Sequence, residues 1–249
     1  MKIALLVAYD GTDFHGFARQ KHARTVQGEL EAKLSLILRA PIETVGAGRT
    51  DAGVHAAGQV VSFDVPRDVD PSWLRLRLNK LLAPAIVVRA ASVMPDDFSA
   101  RFSATRREYE YRIYRSPTPD PFRDRFALWV PGRLTVSAMQ AASRALIGEH
   151  DFSSFCRRGE GSLMRRVRAI TFSSRDDELI VKIKADSFCH QMVRSIVGML
   201  LEVGAGKRAP GDVEKALRAK HRNAAGPVAD ARGLHLVRVV YPRASAIAI

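Results

Sequence analysis

The sequence predicts an α+β fold built as two similar halves. Strand-like runs and amphipathic helices intermingle along all 249 residues. A strand, then a helix, then further strands recur on either side of a seam near residues 102 to 107. Hydrophobic residues make up 47% of the chain, enough to bury one large core or two smaller ones.

Ile3 to Tyr9 is an apolar run ending at the turn signal Asp10-Gly11, so a buried strand opens the fold. Val26, Leu30, Leu34 and Ile37 recur at helical spacing between Thr25 and Arg39, with Pro41 beyond the end. Val60 to Val65 alternates as a strand. Trp73 to Leu82 alternates too, but Asp70-Pro71 is a cap followed by a first-turn proline, so this segment is a helix with Leu74, Leu78 and Leu81 on one face. Ile86 to Val93 returns as a strand.

The second half opens with a strand from Glu108 to Tyr114, followed by a proline-rich loop at Pro117, Pro119 and Pro121. Thr135 caps a helix carrying Met139, Ala142 and Leu146 and closed by Gly148. Val167 to Phe172 and Leu179 to Ala185 form a hairpin across Asp176-Asp177. A helix from Phe188 to Val203, a short helix from Val213 to Ala219 and a last strand from Leu234 to Tyr241 complete the chain. The predicted domains are 1–103 and 104–249, each a ferredoxin-like or RNA-recognition-like unit with an antiparallel sheet and helices on one face.

Lysine and arginine number 39 against 26 acidic residues, for a formal charge of +13 and a pI near 10.3. Arginines spread along the chain indicate a basic folded surface and a polyanionic partner, not a basic tail. Cys156 and Cys189 are too few for a disulfide framework and have no zinc-site spacing, which fits a reducing cytosol. The opening MKIALLVAYDG carries no cleavage signal, and no apolar run approaches membrane-spanning length.

The chemical signal is GAGRTDAGVHA, from Gly46 to Ala56. Gly46, Gly48 and Gly53 frame Asp51 and describe a tight, exposed presentation of one carboxylate. The spacing is wrong for a dinucleotide fingerprint, and no Gly-Lys-Ser/Thr follows for a phosphate loop. Local physics leaves two readings open: a hairpin turn in which Asp51 bonds its own backbone, or a functional carboxylate kept ionised by a neighbouring arginine such as Arg49.

GAGRTDAGVHA resembles the catalytic signature of the tRNA pseudouridine synthase A family. VAYDGTDFHGF, DDFSARFSATRREYEYRI, SFCHQMVRSIVGMLLEVG and ARGLHLVRVVY extend the resemblance, in family order, over nearly the whole chain. It implies isomerisation of uridine to pseudouridine at positions 38, 39 or 40 of the tRNA anticodon stem-loop. It also implies no cofactor or metal, a cytoplasmic homodimer that holds tRNA, and an active-site cleft between the two halves. Asp51 would be the catalytic residue, attacking the sugar at C1′, adding to C6 of the ring, or removing a ribose proton. Tyr109 would stack on the target base, Arg194 would pair with the aspartate, and Leu234 would line the uracil pocket, with Arg49 beside them in substrate binding. Phe17, Ala18 and Gln191 depart from the family pattern of tryptophan, glutamine and histidine.

Two competing readings come from the residues. A non-catalytic RNA-binding module would satisfy the basic charge and the duplicated sheet, but leaves the glycine-framed aspartate unexplained. A thiolate at Cys189 beside His190 could add to uracil C6, although the helical periodicity there favours a packing thiol.

Overall fold

The computed structural model describes residues 1–157 and 162–242. They form two compact units: Met1–Thr105 together with the chain from His235 onward, and Arg106–Leu234. The predicted seam at 103/104 lies close to the observed one, but the last strand belongs with the first unit and not, as predicted, with the second.

In the first unit, β1 (Lys2–Tyr9) runs antiparallel to both of its neighbours, β3 (His55–Asp64) and β4 (Ile86–Met94). Ile3, Ala4, Leu5 and Val7 are all fully buried, so both faces of this central strand are covered. The same holds for β3, which begins five residues before the predicted Val60 because a strand buried on both faces shows no alternation at its inner end. The short β2 (Val45–Gly46) pairs with β3.

Helix α1 (Val26–Leu38) starts at Thr25, whose hydroxyl accepts from the Gly28 amide at 3.2 Å, and it buries Val26, Leu30, Leu34 and Leu38. Asp70 caps α2 (Pro71–Leu82) as predicted. Its buried stripe is Leu74, Leu78 and Leu82, and Leu81 is 46% exposed.

The second unit begins with β5 (Arg106–Tyr114). The two-residue β6 (Leu128–Trp129) lies parallel to it, and helix α3 (Val136–Ser143) follows. Thr135 precedes α3 without a side-chain capping bond. Strands β7 (Gly148–Asp151), β8 (Met164–Arg175) and β9 (Glu178–Ala185) complete an antiparallel order β5-β9-β8-β7, with the β8–β9 hairpin turning at Asp176 (φ 52°). Helix α4 (Met192–Gly204) starts four residues after the predicted Phe188, because Gln191 takes a left-handed conformation (φ 62°) that stops the helix from extending backwards. Helix α5 (Asp212–Ala219) follows it.

The chain then returns to the first unit as β10 (Leu234–Val240), parallel to β3 at His235↔His55 and Leu236↔Ala56. The predicted antiparallel sheets are therefore mixed ones. Gly58 permits this pairing, since a Cβ there would lie 2.3 Å from the Val237 carbonyl oxygen.

Candidate active site

Asp51 lies on the loop between β2 and β3, half-buried, with Thr50 buried before it and Arg49 exposed. The loop is tied down along its length. The Ala47 amide donates to the Val60 carbonyl at 2.8 Å, the Gln59 side-chain amide to the Gly48 carbonyl at 2.8 Å, and the Phe17 amide to the Thr50 carbonyl at 3.0 Å. After Asp51 the Val54 amide closes a turn onto the Asp51 carbonyl at 3.2 Å. A backbone turn is thus present at Asp51.

Two glycines make this packing feasible. A Cβ on Gly46 would sit 2.3 Å from the Phe17 ring, so Phe17 fills the space under the loop. Gly16 has φ +94°, and a Cβ there would lie 2.9 Å from the Thr50 carbonyl oxygen. Phe17, one of the departures from the family pattern, is 2% exposed and acts in packing.

Beneath the loop, the Tyr9 hydroxyl meets Thr50 Oγ1 at 2.8 Å in a buried hydrogen bond. Burial pushes the Tyr9 phenol up to about 12, against smaller opposing contributions from hydrogen bonds to Thr50 and Gln59. At neutral pH it is a neutral hydroxyl. The ion pair expected between Arg49 and Asp51 does not form among the described residues: Arg49 extends from the exposed side of the loop.

Tyr109, Arg194 and Leu234 all lie in the second unit. Tyr109 is opposite Ile183 in the β5–β9 pairing, 7% exposed, with its ring edge-on to Phe188 at 5.1 Å between centroids. Arg194 sits in the first turn of α4, where its Nε donates to the Ala229 carbonyl at 2.7 Å and the Ala229 amide returns a bond to the Arg194 carbonyl at 3.0 Å. Its guanidinium is therefore held along the 227–230 segment and does not simply reach solvent from the helix edge. Gly198, one turn on, lets that segment approach, since a Cβ there would meet the Pro227 carbonyl oxygen at 2.0 Å. Leu234 is 5% exposed at the start of β10, a position that an ordinary core leucine also fills.

Charged and polar groups surround this anchor. The Tyr111 hydroxyl donates to the Asp230 carbonyl at 2.8 Å. Burial, aided by the Asp230 charge, raises its phenol above the usual tyrosine range, with Arg194 and Arg232 opposing. Burial alone would raise Asp230. Hydrogen bonds from Arg232 and the charges of Arg232 and Arg194 outweigh that and hold the carboxyl below the usual carboxylate range.

Sequence reasoning passed over Tyr9, Gly16, Thr50 and Asp230, and took Gln59 only as a local hydrogen-bonding residue. VAYDGTDFHGF carries the first two, but it entered only as a matching segment with no task for its residues. Cys156 and Cys189 are brought side by side, with their Cα atoms 5.8 Å apart across 33 residues of sequence.

The structure thus presents one carboxylate, on a mixed α+β scaffold, from a loop tied down at each flank. The chain belongs to the tRNA pseudouridine synthases, a family of isomerases whose model matches residues 5–103 and 142–242. It is 44% identical over 245 residues to tRNA pseudouridine synthase A of Bacillus licheniformis, covering 97% of this chain and 99% of that one. It is also 44% identical over 246 residues to the protein of the same description from Frankia casuarinae, covering 97% and 90%. Among solved structures, a Cbf5-Nop10-Gar1 complex aligns over 81% of this chain and 45% of that chain, with a TM-score of 0.41 and 11% identity.

Proposed function

We propose that this protein converts uridine to pseudouridine at positions 38, 39 or 40 of the tRNA anticodon stem-loop, with Asp51 as catalytic nucleophile or base. The observation that carries the reading is the Asp51 loop, which holds one carboxylate half-exposed on a frame fixed at Gly48, Thr50 and Val54. The full-length similarity to proteins described as tRNA pseudouridine synthase A supplies the substrate class.

The N1–C1′ bond breaks, the uracil turns, and a C5–C1′ bond forms as the C5 proton leaves and N1 gains one. Nothing is oxidised or reduced. Asp51 acts at C1′, at C6 or on a ribose proton, and in each case a carboxylate fixed before substrate arrives spends little on reorganisation. Tyr109 is the base-stacking surface, buttressed by Phe188. Arg194, anchored through Ala229, supplies positive charge to pair with Asp51, Leu234 contributes apolar pocket wall, and the exposed Arg49 meets RNA phosphate. The reading includes two similar halves framing the active-site cleft, a homodimer that holds tRNA, and action in the cytoplasm.

Purified protein mixed with tRNA containing 5-tritiated uridine is expected to release tritium with no cofactor added. Asp51→Asn should abolish release while tRNA affinity is kept. Turnover surviving in that variant would sink the mechanism, and an intact protein silent on several tRNAs would favour the binding module.

A further inference from the structure

The Tyr9 hydroxyl is buried in a place where a phenylalanine would satisfy packing. Tyr9 is 5% exposed, its ring stands 6.3 Å from that of Phe17, and its oxygen is spent on one residue of the loop, Thr50. Gln59 is fully buried and spends its side-chain amide on Gly48, while its side-chain oxygen accepts from the Val60 amide. The two groups come from adjacent strands. Val7 pairs with Gln59 and Tyr9 with Ala56, across an irregularity in the β1–β3 register that falls between Val7 and Tyr9.

Their targets alternate with the residues on the outward side of the loop. Gly48 and Thr50 are gripped from below, and Arg49 and Asp51 are the residues left facing outward or half-outward. A strap at 48 and another at 50 fix the backbone on both sides of Arg49 and immediately before Asp51. A shift of either strap would move the carboxylate.

We infer that Tyr9 is a positioning residue for Asp51, acting through the hydroxyl of Thr50, with Gln59 as the second strap at Gly48. The inference rests on the proposed role of Asp51. Tyr9 touches no reacting atom; its contribution is to hold the aspartate at attack distance, where misplacement by about 1 Å can cost about 100-fold in rate. The neutral state of the phenol suits this task, because an ionised oxygen would be costly in so dry a site.

The test is the tritium-release assay run alongside tRNA affinity and thermal melting. Tyr9→Phe is expected to lower kcat by about 10- to 100-fold while KM and the tRNA Kd stay within about two-fold. Thr50→Val should produce the same loss, and Thr50→Ser, which keeps the hydroxyl, should restore most of the rate. The double variant Tyr9→Phe/Thr50→Val should lose little more than Tyr9→Phe alone, because both substitutions remove the same Tyr9–Thr50 hydrogen bond. Parental kcat in Tyr9→Phe would overturn the inference. So would a loss that appears equally in KM and Kd, or full additivity in the double variant. If Tyr9→Phe does not fold, the Thr50→Val and Thr50→Ser pair decides the matter. Asp51→Asn run in parallel separates the two claims: an active Asp51→Asn defeats the proposed mechanism, whereas an inactive one with an unaffected Tyr9→Phe defeats the positioning role alone.

Discussion

At the scale of single residues, Asp230 is a carboxylate whose neighbours give it a pH signature. Against its partial desolvation, its carboxyl is held below the usual range by Arg232 and Arg194. A depressed folded pKa gives stability that is fully present above the unfolded value of about 3.9 and is lost as pH falls through the folded value. Asp230→Asn should therefore be less stable than the parent at pH 7 in urea titrations, and the difference should shrink below about pH 4 as the parent carboxylate is protonated. A difference that persists unchanged into acid would mean that packing, not charge, holds the segment beside Arg194.

At the scale of elements, the approach of the 227–230 segment to α4 depends on Gly198. An added methyl would sit 2.0 Å from the Pro227 carbonyl oxygen, so Gly198→Ala should force the two apart and cost about 1–3 kcal/mol. Gly211→Ala, where a Cβ meets nothing within 4 Å, should cost less, and urea midpoints for both variants check the comparison. Elements with local signals were legible from the residues alone: α1 through the helical spacing of Val26, Leu30 and Leu34, α2 through Asp70-Pro71, and the β8–β9 hairpin through Asp176-Asp177. The inner end of β3 was not, because burial on both faces removes the alternation that marks a strand. The start of α4 was missed because nothing local betrays the left-handed Gln191, and β6 was missed because two residues have no period to read. The active-site loop divides in the same way. Asp51 is visible through its flanking glycines, whereas its straps come from Tyr9, 41 residues from Thr50, and from Gln59, 11 residues from Gly48.

At the scale of the whole molecule, the net charge of +13 is not spread over equivalent cations. Many are engaged: Lys182 with Glu110 at 2.9 Å, Arg166 with Glu149 at 2.6 Å, Arg218 with Glu214 at 2.5 Å. An exposed pair of this kind contributes little to stability, but its anion lowers the local potential that a phosphate would feel. Arg49 is exposed and engages no carboxylate among the described residues, so its full charge is presented beside the proposed catalytic aspartate. Binding of tRNA should weaken steeply with salt, since each lysine or arginine that meets phosphate displaces condensed counterions. If Arg49 is one of these, Arg49→Gln should reduce the slope of log Kd against log salt by about 1 and weaken binding most at low salt. Arg218→Gln, which removes a cation already paired along α5, should leave the slope nearly unchanged. Filter-binding or fluorescence titrations at several salt concentrations measure both. Equal slopes for Arg49→Gln and the parent would remove Arg49 from the phosphate contacts and place its charge in the service of the loop alone.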